Sequence, residues 1–250
     1  MRKERLQKIE EYIISNEFVT MEKIRDEFGI AMPTVRKDIG ELASHGRIEK
    51  VYGGAKAAAI KGGNMHLFKN REKVHMSEKN KIAKKAADQV NDGDVIYIDS
   101  GTTAASMIRY LEGKHVTVIT CNLVALNAIS ASESLEVYVM GGKINKETLS
   151  VDNMFSRDFI NGLNIDKAFM AASGYSIEGG IAQDSYTECE IKQYILGVAT
   201  ESFLIIDSSK IGRKALARYA GPDAIKTIIT DGNVRSDYTE YFAENNIKII

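Results

Sequence analysis

The feature that most constrains this chain is a set of seven short apolar runs, all but one of them β-branched, at residues 95–99, 116–120, 137–140, 168–172, 203–207, 227–230 and 247–250. Each is separated from the next by a helix-length or turn-rich segment. Strands alternating with helices pair in parallel and bury both faces, so the C-terminal part is expected to be a Rossmann-like α/β domain with a mostly parallel sheet. Open sheets of this kind take ligands outside the carboxyl ends of their strands, which makes the residues after each run the candidate site.

Those residues converge on one chemistry. After the first run come Asp99, Ser100, Gly101, Thr102 and Thr103, then an expected apolar helix through Ala104, Ile108 and Leu111. A Ser-Gly-Thr-Thr turn opening a helix gathers unpaired N–H groups, hydroxyls and the positive end of the helix dipole, a cradle for phosphate. The alternative is that Thr102 or Thr103 is only an N-cap. Thr120 and Asn122 after the second run, and Gly141 and Gly142 after the third, favour a ligand crevice. Ser173 and Gly174 follow the fourth run and lead into a loop through Gly179-Gly180 and Gln183-Asp184. Glu188 and Lys192 then sit four apart at the start of a helix, where an ordinary surface ion pair is the alternative. Asp207 and Lys210 follow the fifth run.

The N-terminal residues have a different period. Leu6, Ile9 and Ile13 form one apolar stripe, and Thr20 is placed to cap a second helix carrying Met21, Ile24 and Phe28, with Gly29 as its stop. A third helix from Met32 buries Val35, Ile39 and Leu42, and 100° per residue then leaves Pro33, Lys37, Gly40 and Ser44 outside, flanked by Thr34 and Arg36. Two short helices with a tight turn between them are a helix-turn-helix, and residues 47–55 read as a strand and a Gly53-Gly54 turn, a wing. Pro33, Thr34, Arg36 and Lys37 on the exposed face, with Arg47 and Lys50 in the wing, are the candidate DNA contacts; Arg2, Lys3 and Arg5 are expected to add phosphate contacts. An isolated Arg-Lys pair is usually a solvated face, but here it follows helix-turn-helix spacing and precedes a wing. The domains expected are therefore 1–56, a linker at 57–78, and 79–250.

Thr34-Val35-Arg36-Lys37-Asp38-Ile39, followed by Leu42, Gly46 and Val51-Tyr52-Gly53-Gly54-Ala55, resembles the N-terminal signature of the DeoR family of bacterial repressors. Ala31 stands where the family usually has a capping Ser, and Tyr52 where it often has His. Residues from about Lys79 to the end are similar to the family's sensor domain, itself like ribose-5-phosphate isomerase. The resemblance implies a repressor of carbohydrate catabolism controlled by a phosphorylated sugar, with the residues named above around its pocket and the acidic ones suited to sugar hydroxyls. No cofactor is expected, the expected partner is a double-stranded DNA operator, and because one recognition helix reads only a few base pairs of a two-fold operator, a homodimer or homotetramer is expected.

The bulk properties agree. Net charge is -1, and 12 Lys and Arg stand against 10 Asp and Glu over residues 1–61, too small an asymmetry to carry weight alone. Cys121 and Cys189 lack metal or disulfide spacing, as do His45, His66, His75 and His115, so no metal is expected. No run of 18 apolar residues occurs, and a cytoplasmic protein without a membrane partner is the expectation. The competing reading is a sugar-phosphate isomerase with an accessory DNA-binding domain, because Asp, Glu and Lys beside a phosphate cradle can move a proton.

Overall fold

A computed structural model describes residues 2–16, 18–44, 48–51, 53–57, 68, 71, 74–152 and 160–250. The chain divides into two compact units, Met1–Val74 and His75–Ile250.

The first unit contains α1 (Arg2–Ser15), β1 (Phe18–Thr20), α2 (Met21–Phe28), α3 (Met32–Ser44), β2 (Ile48–Val51) and β3 (Gly54–Ala57). Its core is the expected apolar set, with Leu6, Ile9 and Ile13 of α1 against Met21 and Ile24 of α2 and Val35, Ile39 and Leu42 of α3. Helix α2 starts where the Thr20 hydroxyl accepts the Lys23 N–H at 3.2 Å, and it stops at Gly29, whose φ of 58° is left-handed. Helix α3 lacks a side-chain cap. The N–H groups of Thr34 and Val35 instead both donate to the Ala31 carbonyl, at 2.8 and 3.1 Å.

Strand β1 was not expected. It completes a three-stranded antiparallel sheet of order β1-β3-β2. Its presence corrects the reading of the two glycines. Only Gly53, with φ 78°, makes the wing turn; Gly54 already lies in β3, where a Cβ would stand 2.3 Å from the Val19 carbonyl oxygen. The second glycine lets β1 approach β3.

The second unit runs α4 (Met76–Ala87), β4 (Val95–Ile98), α5 (Thr102–Ala105), β5 (Val116–Thr120), α6 (Leu123–Ile129), β6 (Leu135–Val139), β7 (Lys143–Asn145), β8 (Ser150–Asp152), β9 (Ile165–Ala171), β10 (Gly174–Ser176), β11 (Gly180–Gln183), α7 (Tyr186–Val198), β12 (Ala199–Ile205), β13 (Ala217–Ala220), β14 (Thr227–Ile229), α8 (Ser236–Glu244) and β15 (Lys248–Ile249). The seven apolar runs all become strands of one sheet, order β15-β14-β12-β9-β4-β5-β6, and every neighbouring pair is parallel. Alternation along β4 sends Ile96 and Ile98 into the core on one face and Tyr97 into the core on the other. The chain builds outward from β4 through β5 to β6, then restarts on the other side of β4 with β9. That reversal leaves a crevice outside the ends of β4 and β9.

Three differences from the sequence reading follow. Helix α4 begins at Met76, inside the segment read as linker. The segment after Gly174 read as loop is the hairpin β10–β11, joined by β13 in a second, antiparallel sheet. The apolar helix expected through Ala104, Ile108 and Leu111 is broken into the four-residue α5 and a 3-10 turn at Ile108–Tyr110. Its apolar residues still reach one core, but the Ser106 hydroxyl donates to the Thr102 carbonyl and short-range bonds such as Met107 N–H to Ala104 tighten the path. A single turn carries little dipole, so the long-helix contribution expected for a phosphate cradle at Ser100–Thr103 is absent from α5.

Candidate functional site

In the first unit, α3 presents Pro33, Arg36, Lys37, Gly40 and Ser44 to solvent, with Thr34 half-buried beside them, the face expected to enter a major groove. Lys50 is exposed on β2, while Arg47 lies outside the described residues. Arg2 and Arg5, expected to add phosphate contacts, each pair with a carboxylate of α3. Arg5 forms a two-pronged pair with the buried Asp38 of α3, at 2.9 and 3.3 Å, and Arg2 pairs with Glu41. The Arg5–Asp38 pair ties α1 to the buried side of α3, a contact the sequence reading did not find.

In the second unit the switch point between β4 and β9 is occupied by charge. One Asp99 carboxylate oxygen accepts the Ala171 N–H at 2.7 Å and pairs with the Lys192 ammonium; the other accepts the Ser100 N–H at 2.7 Å and the Tyr97 hydroxyl at 3.4 Å. Asp99 and Lys192 are each 1% exposed at their side chains. Lys192 also donates to the Ala171 carbonyl at 3.2 Å, so the last residue of β9 is gripped through both its N–H and its C=O. Burial opposes the charge on Lys192, but Asp99 and Glu188 outweigh it and hold the ammonium above its ordinary value. It remains a fixed cation at neutral pH. Burial, with Asp99 adding to it, pushes the neighbouring Cys121 thiol up to about 12, which keeps it protonated and inert.

These groups line a narrow cleft whose walls include Asp99, Ser100, Cys121, Ser150, Glu188 and Lys192. Glu188 is its anomaly. One carboxylate oxygen accepts from the Gln183 amide, whereas the other is buried and, among the described residues, unpaired. The i, i+4 surface pair considered for Glu188 and Lys192 is not what forms: both residues are buried, and Lys192 reaches across to Asp99 instead.

The other expected residues divide into liners and scaffold. Ser100 lines the cleft; Gly101, at φ 107°, turns the chain into α5, whose first residues Thr102 and Thr103 carry the N–H groups that any helix start leaves unpaired. Thr120 and Asn122 are fully buried scaffold. The Thr120 hydroxyl donates to Ile98 and accepts from Asn122, and the Asn122 amide holds the carbonyls of Asp99 and Gly101 while its oxygen caps α6. Both residues therefore shape the Asp99–Gly101 turn from behind.

Gly141 and Gly142 are exposed and do not line the cleft. Ser173 bonds to Gln183, the residue that holds Glu188, and Gly174 is needed because a Cβ there would stand 2.6 Å from the Arg213 carbonyl oxygen. Asp207 is 3.7 Å from Lys210, and Lys210 donates to the Ala172 carbonyl at the end of the same strand that Asp99 and Lys192 hold. Tyr97, Gln183 and Tyr219 were missed. Tyr219 donates to the Ala171 carbonyl at 3.0 Å and places its ring 5.5 Å from the Lys192 ammonium, contacts that pair residues far apart in sequence.

Comparison with known proteins matches residues 5–61 to the DeoR-like helix-turn-helix domain and residues 74–232 to the DeoR C terminal sensor domain. The chain is 36% identical over 250 residues to the HTH-type transcriptional regulator IolR of Bacillus subtilis (strain 168), covering 100% of this chain and 99% of that protein. It is 29% identical over 246 residues to the lactose phosphotransferase system repressor of Lactococcus lactis subsp. lactis, covering 97% and 96%. A solved structure of the tetrameric eIF2B-beta2-delta2 complex from C. thermophilum superposes with a TM-score of 0.50 at 14% identity, over 68% of this chain and 61% of that one, a likeness of fold alone. With both domain types matched in order and a relative aligned from end to end, the chain belongs to the DeoR family of transcriptional regulators.

Proposed function

We propose that this regulator is a repressor of carbohydrate catabolism whose hold on its operator is controlled by a phosphorylated sugar bound in the cleft outside β4 and β9. The observation that carries the reading is the buried, unpaired Glu188 oxygen. A buried carboxylate oxygen without a donor costs free energy, and a ligand hydroxyl in the cleft supplies the donor. The N–H groups of Gly101, Thr102 and Thr103 at the start of α5, with the Ser100 hydroxyl beside them, suit a phosphate, and Lys192 adds a fixed positive charge close by. Asp99 is an orienting group in this arrangement rather than a base, because protein donors already occupy both its oxygens.

Control of DNA binding is then a matter of linkage. A ligand that prefers one arrangement of the regulator changes operator affinity by the same coupling free energy, typically about 1–3 kcal/mol. Reading a two-fold operator takes two recognition helices, so the active species is a homo-oligomer acting where the DNA is, in the cytoplasm of a bacterium. No described helix is long and apolar enough to cross a membrane. The isomerase reading is set aside by relatives that match from end to end and are named as regulators.

Thermal unfolding with a panel of hexose, pentose and polyol phosphates, each beside its unphosphorylated counterpart, tests the proposal. A true effector at a hundredfold excess over its Kd stabilises the sensor unit by about 2.7 kcal/mol. Equal stabilisation by the unphosphorylated partners, or none from any phosphorylated compound, refutes it.

A further inference from the structure

We infer that β6, the edge strand of the large sheet that no other described strand pairs on its outer side, is a self-pairing surface on which a second copy of this chain adds its own β6 antiparallel, with the two-fold axis at Val137. The two edges of the sheet are unequal. At one end β15 is two residues long and carries an exposed Lys248, the usual protection against unwanted pairing. At the other, β6 is five residues long, and its consecutive Val137, Tyr138 and Val139 are 36%, 48% and 49% exposed. A long apolar edge left open is an aggregation hazard unless a partner covers it.

The direction of the backbone groups fixes how such a partner can dock. The Met140 N–H donates inward to the Thr120 carbonyl of β5 at 3.0 Å. Alternation along a strand then turns the N–H and C=O of Tyr138 and Glu136 inward as well, and those of Leu135, Val137 and Val139 outward. An antiparallel copy centred on Val137 sets Val137 against Val137 and Leu135 against Val139, all of them positions whose backbone groups face the gap, so each pair exchanges two hydrogen bonds.

Side chains favour the same register. It sets Glu136 opposite Tyr138, and the Tyr138 hydroxyl already donates to Glu136 within the strand at 3.2 Å, a bond it can make across the axis. No like charges face each other. Shifting the axis by one residue to Glu136 would oppose two carboxylates and turn the inward-facing backbone groups to the gap. The occupant is a second copy because the pairing is self-complementary and because operator reading calls for two chains. The inference rests on the homo-oligomeric reading above for its occupant, while the position of the interface comes from the strand alone.

The test uses the full chain with Val137→Cys. Directly opposed residues of a hydrogen-bonded antiparallel pair have Cα atoms about 5.5 Å apart, within reach of a disulfide, whereas the native Cys121 and Cys189 are both buried. Mild oxidation is expected to give a covalent dimer from V137C and at least tenfold less from E136C. Sedimentation of Y138E and Y138K, which lose the same ring, is expected to show at least tenfold weaker association for Y138E, whose new charge faces Glu136, than for Y138K. A dimer in sedimentation that fails to cross-link through position 137, or that responds equally to Y138E and Y138K, overturns the interface but leaves the homo-oligomeric reading standing. A chain that stays monomeric at high micromolar concentration overturns both.

Discussion

Replacing Lys192 by Met removes a charge without much change of volume and leaves the Asp99 carboxylate buried without its ammonium. Both side chains are 1% exposed, so solvent cannot compensate. Breaking a buried pair by deleting one partner costs about 3–5 kcal/mol, far more than a surface pair is worth. Asp99 keeps the Ala171 and Ser100 N–H groups, each at 2.7 Å, and such charge-assisted bonds still support it. The loss therefore falls near the lower figure, about 3 kcal/mol. For a unit of this size that is a fall of about 6–12 °C in Tm. The pH dependence has a definite sign. The folded-state pKa of Lys192 lies above its ordinary 10.5, so the stabilisation is fully present below that value and is lost as pH rises through the folded pKa. The chain has no Trp, which makes far-UV circular dichroism in urea, with tyrosine emission beside it, the suitable assay. The transition of the sensor unit should shift, and the effects of Lys192→Met and Asp99→Asn should fall short of additive by at least about 1 kcal/mol. A single-variant loss below about 1 kcal/mol, or additivity of the two, refutes the view that this pair holds the switch point.

Four further variants have expected outcomes of their own. Thr20→Ala removes the oxygen that caps α2 and lowers the stability of the DNA-binding unit by about 1 kcal/mol in a urea melt, with the sensor transition unmoved. Burial alone would raise the Asp231 carboxyl, but the Ser208 N–H and hydroxyl bonds hold it below its ordinary 3.8; its stabilisation is present above that value and lost as pH falls through the lower folded one. Asp231→Asn should therefore flatten the acid limb of a Tm-against-pH curve. Lys37→Ala weakens binding to all sequences alike and reduces the salt slope by about 1 if Lys37 meets a phosphate, and Arg36→Ala costs about 1–3 kcal/mol at one base-pair position if Arg36 reads a base edge; both are measured by titration against a panel of duplexes.

The sequence made the large sheet legible because parallel strands flanked by helices need short apolar runs, and such runs are visible without knowing their partners. It made α2 legible for a local reason as well, since Thr20 and Gly29 mark its ends by chemistry that acts within one turn. What stayed hidden depends on residues meeting across long stretches of chain. Strand β1 is only three residues long and pairs with β3 more than thirty residues later. The β10–β11 hairpin resembles a Gly-rich loop until Tyr219, on the strand beside it, closes over the Ala171 carbonyl. In the site, Asp99 and Lys192 were both named, but a spacing of four made Glu188 look like the lysine's partner. Only the fold, by placing α7 over the end of β9, brings Lys192 to Asp99 and leaves the Glu188 oxygen open. Residue type placed Asn122 near the site, and its hydrogen bonds show it to be scaffold.

The most direct test of coupled DNA reading and ligand sensing is the affinity of the full chain for a duplex that it selects from a random pool, measured with and without the phosphorylated sugar giving the largest thermal shift. The account predicts clear preference for that duplex over a scrambled one and a change in Kd of about 5- to 150-fold when the sugar is added. Equal affinity for the two duplexes, or a Kd that stays constant at saturating ligand, would contradict it.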